Sequence, residues 1–228
     1  MKPNTIFLIR HGQSEGNADK QVYKNVPDYA VKLTEMGKVQ SKIAGNELLT
    51  MINTCEKTAV YYSPFFRTIE TLNNIAKSFP SGYFDKRWVR EEPRLREQEW
   101  SCRLSPNGFD FTQERERFCY GHFYYRFDGG ESCADVYDRV SDFMDTLHRD
   151  FQKKDYPQNV LMVTHGMTLR LFIMRWFHKT VHEFEQWENP KNCEIFILRK
   201  NDADKYDLLT PFGKTKKNRH EYVCELEM

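Results

Sequence analysis

The chain has 228 residues, 29% of them charged, and a formal net charge of +1. That length suits one α/β domain with a sizeable core, and charge this balanced carries no whole-chain signal for nucleic acid. No apolar run suits a bilayer span, since the N-terminal one is only Ile6–Ile9 and Leu169–Phe177 is broken by Arg170 and Arg175.

The first predicted element is a buried strand over Ile6–Ile9. It runs directly into Arg10-His11-Gly12-Gln13-Ser14-Glu15-Gly16-Asn17. A lone Arg-His-Gly is a weak signal. The longer R-H-G-x-S-x-x-N pattern has a chance rate of roughly 10⁻⁴ in a chain this long, at about one in twenty per fixed position. A strand end that meets a polar turn can hold a dianion, because arginine offers a charged fork and free N–H groups collect at a helix start. His11 then sits against the anion, placed to attack phosphorus as a neutral imidazole.

Periodicity predicts a helix over Lys38–Met51, with Val39, Ile43, Ala44 and Leu48 on its buried face. Lys57–Tyr62 is β-rich, and Ser63-Pro64-Phe65-Phe66-Arg67-Thr68-Ile69-Glu70-Thr71 opens a helix after it, with Arg67 on the first turn. The stretch from Gln98 to Gly130 is the least regular part and is rich in aromatics and arginine. It reads as a cap-like insertion around residues 98–130, with Arg115 and Arg117 as candidates to contact an acidic group on the substrate.

Glu131–Phe151 is the clearest helix, with Val136, Tyr137, Val140, Phe143, Met144, Leu147 and Phe151 at helical spacing and Ser132 able to cap its start. This stripe reads as core. Val160–Val163 is a second buried strand, and it ends in Thr164-His165-Gly166 before a helical stretch over Met167–Phe177. Glu194–Leu198 and Tyr206–Leu209 are late strands. A basic tail begins at about residue 213 and reads as solvated, with a nuclear signal left open. Six cysteines without paired spacing, and no segment of signal-peptide character, point to free thiols in a reducing compartment. In open α/β sheets the cleft lies at the carboxyl ends of the strands. Three strands ending near His11, Arg67 and His165 therefore describe one pocket.

In these motifs the chain resembles the histidine phosphatase superfamily, the phosphoglycerate-mutase-like proteins. R-H-G-x-S-x-x-N, S-P-x-x-R-T-x-x-T, an acidic L-x-E segment and T-H-G occur in the expected order from about Thr5 to about Tyr206. Arg94–Trp100, Phe123–Phe127, Gly130-Glu131-Ser132 and Met174–His178 resemble its broad-range phosphatase subgroup, with Ser101 standing where that subgroup usually has glycine. The resemblance implies a three-layer α/β/α sandwich around a mostly parallel sheet, in one domain over residues 1–228. It also implies His11 as the phosphohistidine nucleophile and Arg10, Arg67 and His165 as phosphoryl ligands. Asn17 would be an amide donor and Glu97 the proton donor to the leaving group. Ser14 and Gly166 complete the expected substrate-binding set, and Glu91, Glu92 and Glu99 are competing carboxylates.

Phosphoryl transfer spreads charge over the equatorial oxygens. Two guanidiniums and a protonated imidazole at position 165 are expected to neutralise it, so no metal or other cofactor is expected. A zinc shared by His11 and His165 is the competing reading, and the flanking arginines favour anions over cations. The expected activity is a phosphomonoesterase. A mutase using the same residues and an inactive phospho-ligand-binding protein are the alternatives. The resemblance implies a longer cover in mutases than the about 67 residues between Glu97 and His165, and both His11 and Glu97 are retained. The expected partner is a small phosphoester, with neither nucleic acid nor membrane, and a homodimer stays open. The expected location is the cytoplasm, or the nucleus if the basic tail is a signal.

Overall fold

Strand β1 (Thr5–Arg10) is apolar on both faces, as a central strand with helices above and below must be. In the computed structural model, which describes residues 2–100 and 111–214, it pairs in parallel with the equally buried β4 (Asn159–Thr164). Strand β2 (Thr58–Tyr62) lies parallel on the far side of β4, and β3 (Val89–Glu91) lies outside β2. On the other side, β5 (Ile195–Lys200) runs antiparallel to β1, and β6 (Tyr206–Leu208) antiparallel to β5. The described residues thus form one mostly parallel sheet in the order β3-β2-β4-β1-β5-β6.

Helices cover both faces. On one, Phe7, Ile9, Val60, Leu161 and Val163 pack against α2 (Glu35–Met51) and α3 (Phe66–Ala76). On the other, Ile6, Leu8, Tyr61, Val160 and Met162 pack against α5 (Cys133–Phe151) and α6 (Gly166–Trp176). This is the expected three-layer α/β/α sandwich. Short helices α1 (Glu15–Ala18), α4 (Phe111–Tyr120) and α7 (Val181–Glu185) complete the described elements, with several 3-10 turns between them.

Of the face expected for α2, Ala44 and Leu48 are buried as expected, and Val39 and Ile43 are corrected. Val39 and Ile43 are 55% and 60% exposed, and the buried positions are Gly37, Ser41, Ala44, Gly45 and Leu48. The helix packs through small residues because its neighbours come close. A Cβ on Gly12 would meet the Gly37 carbonyl at 2.5 Å, and one on Gly45 would meet Ile75 backbone at 2.9 Å. Helix α4 lies within the stretch read as least regular; its polar sequence Thr112–Arg117 carries no apolar period to reveal it. Of the cysteines expected as free thiols, Cys55, Cys133 and Cys193 are free. Ser101 and the tail beyond Lys214 lie outside the described residues.

Candidate active site

Sheet register brings the site together. Arg10 is opposite Thr164 and Tyr62 opposite Val163, so β1, β4 and β2 end level with one another. The next residues are stitched across the same edge: His11 N–H donates to Thr164 O at 2.9 Å and Ser63 N–H to Val163 O at 3.1 Å. His11 and His165 therefore meet edge to face with ring centroids 5.1 Å apart, both buried.

The surroundings select the state of each ring. His11 Nδ1 lies 2.7 Å from the Gly12 carbonyl, which can only accept, so the proton sits on Nδ1 and Nε2 keeps its lone pair. Burial, then the charges of Arg67 and Arg10, hold His11 well below the ordinary histidine value. Gly12 fixes this turn, its N–H donating to Thr71 Oγ1 at 3.0 Å. His165 Nε2 lies 2.7 Å from Ser63 Oγ, and its buried Nδ1 has no partner among the described residues. Burial, then Arg67, His11, Arg139 and Arg10, hold His165 well below its ordinary value too. The protonated imidazole expected at position 165 is thus disfavoured in the free protein. In the tautomer in which Ser63 Oγ donates to Nε2, His165 presents a neutral Nδ1–H in its place.

Two guanidiniums flank the rings. Arg10 donates from Nη1 to Pro190 O at 2.6 Å, and its buried Nε has no partner among the described residues. Burial lowers Arg10 from its ordinary value, Glu97 opposes that, and Arg67 adds to it, so all three charges share one neighbourhood. Arg67 is 3% exposed and pairs with Asp28 in the 3-10 turn Asp28–Ala30. Nη1 donates to Asp28 O at 2.7 Å and Oδ1 at 2.9 Å, and Nη2 to Oδ2 at 3.3 Å. That count leaves Nε–H and one Nη2–H of the fork for an anion.

Glu97 reaches the same cleft from the loop after β3. Its carboxylate accepts from Gln98 N–H at 3.0 Å, Thr168 N–H at 3.3 Å and Met167 N–H at 3.4 Å, the last two in the first turn of α6. Of the competing carboxylates, Glu92 is paired with Arg94, while Glu91 and Glu99 are exposed.

The remaining expected residues divide. Asn17 is exposed with its Oδ1 accepting from Ser14 N–H and Asn192 Nδ2, which leaves its amide N–H groups to donate outward. Ser14 is buried and caps α1 in a reciprocal box with Asn17. Gly166 opens α6 with Asn189 so close that a Cβ would lie 2.3 Å from its Oδ1. Arg115 is exposed on α4. Arg117 is buried, stacked over Trp100 at 4.9 Å and Phe127 at 5.5 Å. Ser63, Asp28, Thr71 and Asn192 were not singled out from the sequence. Ser63 and Thr71 lie in the S-P-x-x-R-T-x-x-T motif, but Asp28 and Asn192 reach the site only through the fold. Among the described residues no group of three His, Cys, Asp or Glu side chains could hold a metal ion.

A family model described as histidine phosphatase superfamily (branch 1) matches residues 6–209. The chain is 40% identical over 223 residues to the phosphoglycerate mutase-like protein AT74H of Arabidopsis thaliana, covering 90% of this chain and 77% of that one. It is 28% identical over an alignment of 303 residues to the broad-range acid phosphatase DET1 of Saccharomyces cerevisiae, covering 93% and 90%. Among solved structures, mycobacterial glucosyl-3-phosphoglycerate phosphatase in complex with VO3 matches with a TM-score of 0.66, over 93% of this chain and 100% of that one. At 19% identity that likeness is one of fold.

Proposed function

Since the chain belongs to the histidine phosphatase superfamily, we propose that it hydrolyses small phosphate monoesters through a phosphohistidine on His11. The observation that carries the reading is the state of His11. It is a buried imidazole with its proton fixed on Nδ1, a free Nε2 and two guanidiniums beside it. Nε2 attacks phosphorus, the P–O bond to the alcohol breaks, and Glu97 delivers a proton to the leaving oxygen. Water then attacks phosphorus, the P–N bond breaks, Glu97 takes the water's proton, and inorganic phosphate departs. In the free protein Glu97 accepts from three N–H donors, as a carboxylate does. The proton it passes on therefore arrives with the substrate, as a phosphomonoester monoanion.

Arg10, Arg67 and His165 face the charge on the equatorial oxygens. An anion would also occupy Arg10 Nε and His165 Nδ1, which have no partner in this cleft among the described residues. Asn17 adds an amide N–H at the mouth. With protein groups supplying these charges, activity should survive exhaustive chelation, and vanadate should inhibit as a mimic of five-coordinate phosphorus. Loss with EDTA and rescue by a divalent ion would favour the zinc reading. Phosphate release from a panel of phosphomonoesters, with phosphoglycerate isomerisation assayed beside it, tests the reaction itself. Isomerisation outrunning release would make the chain a mutase.

A further inference from the structure

Beyond the 3-10 turn Pro93–Leu95, the segment that carries Glu97 has no regular structure, so no ladder of backbone hydrogen bonds fixes it. Side chains from elsewhere take its carbonyls instead. Leu95 O accepts from Thr164 Oγ1 at 2.7 Å, and Arg96 O from Thr168 Oγ1 at 2.6 Å. Arg139, buried on α5, spans the rest. Its Nη1 donates to Arg94 O at 2.6 Å and Arg96 O at 3.0 Å, and its Nη2 to Glu97 O at 3.0 Å.

Glu131 closes the arrangement from the foot of the cap. Its carboxylate accepts from Arg139 Nε at 3.0 Å and Nη2 at 2.9 Å, from Arg96, and from Glu99 N–H at 3.1 Å. Its backbone joins as well. Glu131 N–H donates to Glu99 O at 2.8 Å, and Glu131 O accepts from Gln98 Nε2 at 2.7 Å. Arg94, Arg96, Glu97, Gln98 and Glu99 are thus all held by Arg139 and Glu131, a mutually oriented and largely buried ion pair. A pair of this kind is costly to desolvate and contributes little unless every hydrogen bond is made, as it is here.

We infer that Arg139 and Glu131 are positioning residues for the general acid, the guanidinium fork fixing the Glu97 peptide and so the reach of its carboxylate. The inference rests on the reading of Glu97 as the acid. It gives the Gly130-Glu131-Ser132 motif a division of labour, with Glu131 orienting the clamp and Ser132 capping α5. A displacement of about 1 Å at a reacting group can cost roughly 10²-fold. A lysine at position 139 would keep the charge but has one nitrogen and cannot bridge three carbonyls and a carboxylate.

The test compares Arg139→Lys and Glu131→Gln with Glu97→Gln on an alkyl phosphate and on nitrophenyl phosphate, whose leaving group scarcely needs a proton. Arg139→Lys should lower kcat on the alkyl ester by roughly 10- to 10²-fold with KM little changed. It should leave the nitrophenyl ester within about threefold, and it should add no further loss in the Glu97→Gln background. Glu131→Gln keeps the side chain's size and should show the same selectivity; it carries the test if Arg139→Lys does not fold. Equal losses on both esters would reduce the pair to structural support and overturn the inference. Near wild-type turnover of the alkyl ester by Arg139→Lys would overturn it too, since charge alone would then suffice. If Glu97→Gln itself shows no dependence on the leaving group, the assignment of the acid falls first, and that reference variant reads its failure separately.

Discussion

The floor of the cleft and its acid loop are built in opposite ways. The floor, His11, Ser63 and His165, follows three adjacent strands whose ends are level because the parallel ladder makes them so. The acid loop has no ladder; Glu97 hangs on side chains from β4, α5 and α6 and on the residue before the α5 cap. A rigid sheet edge suits groups that must meet a phosphoryl anion in one geometry. A loop tied by hydrogen bonds suits a group that gives and takes protons as the leaving group and then water pass by. The floor should therefore matter equally for every ester, and the loop in proportion to how badly the leaving group needs a proton.

The largest effect expected on the floor's anion grip comes from Arg67. Arg67→Ala removes a buried guanidinium that faces developing charge and should cost roughly 10²- to 10³-fold on alkyl and nitrophenyl esters alike. A loss confined to one ester would break the comparison. Glu97→Gln should cost roughly 10²-fold or more on the alkyl ester and far less on the nitrophenyl ester. If Glu99→Gln shows that dependence and Glu97→Gln does not, the acid is misassigned although the floor stands.

The buried imidazoles also set a pH signature. In the fold, His11 and His165 take up protons only well below the ordinary histidine value, whereas the unfolded chain does so near about 6.5. Above that pH neither state binds these protons and the stability is fully present. As pH falls below it, the unfolded state gains protons that the fold does not, so stability falls by up to about 1.4 kcal/mol per pH unit for each ring. Thermal melts from pH 7.5 down to 5 should show a falling Tm, with a shallower slope in His165→Asn. An unchanged slope would mean that His165 is not held neutral. The same depression leaves the His11 lone pair available through mildly acidic pH, so activity should not fall on the acid side with a pKa near 6.5.

Legibility in the sequence follows the same division. The strands and their terminal residues could be read because a doubly buried strand is a continuous apolar run, and Arg10-His11-Gly12 and Thr164-His165-Gly166 follow such runs directly. Arg139 could not be read as part of the site, since nothing along the chain ties it to Glu97, 42 residues away. Asp28 was hidden in the same way, in a turn that reaches Arg67 only after folding. The misread face of α2 has a different cause: Val39 and Ile43 keep helical spacing, but close packing selected the glycines and Ser41. The smallest predicted effect tests that point. Val39→Asn should shift stability by no more than about 0.5 kcal/mol, while Leu48→Ala on the buried face should cost about 2–5 kcal/mol. Comparable losses in denaturant melts would restore the face expected from the spacing.

The proposed hydrolysis depends on a covalent bond between phosphorus and His11 Nε2. Rapid quench with a ³²P-labelled phosphomonoester should trap a phosphoenzyme that is acid-labile and base-stable, with the label on the peptide containing His11 and none on His11→Ala. That variant should lose on the order of 10⁴-fold or more in turnover on every ester, the scale of removing a covalent nucleophile. A His11→Ala protein that still turns over at close to the wild-type rate would contradict the account.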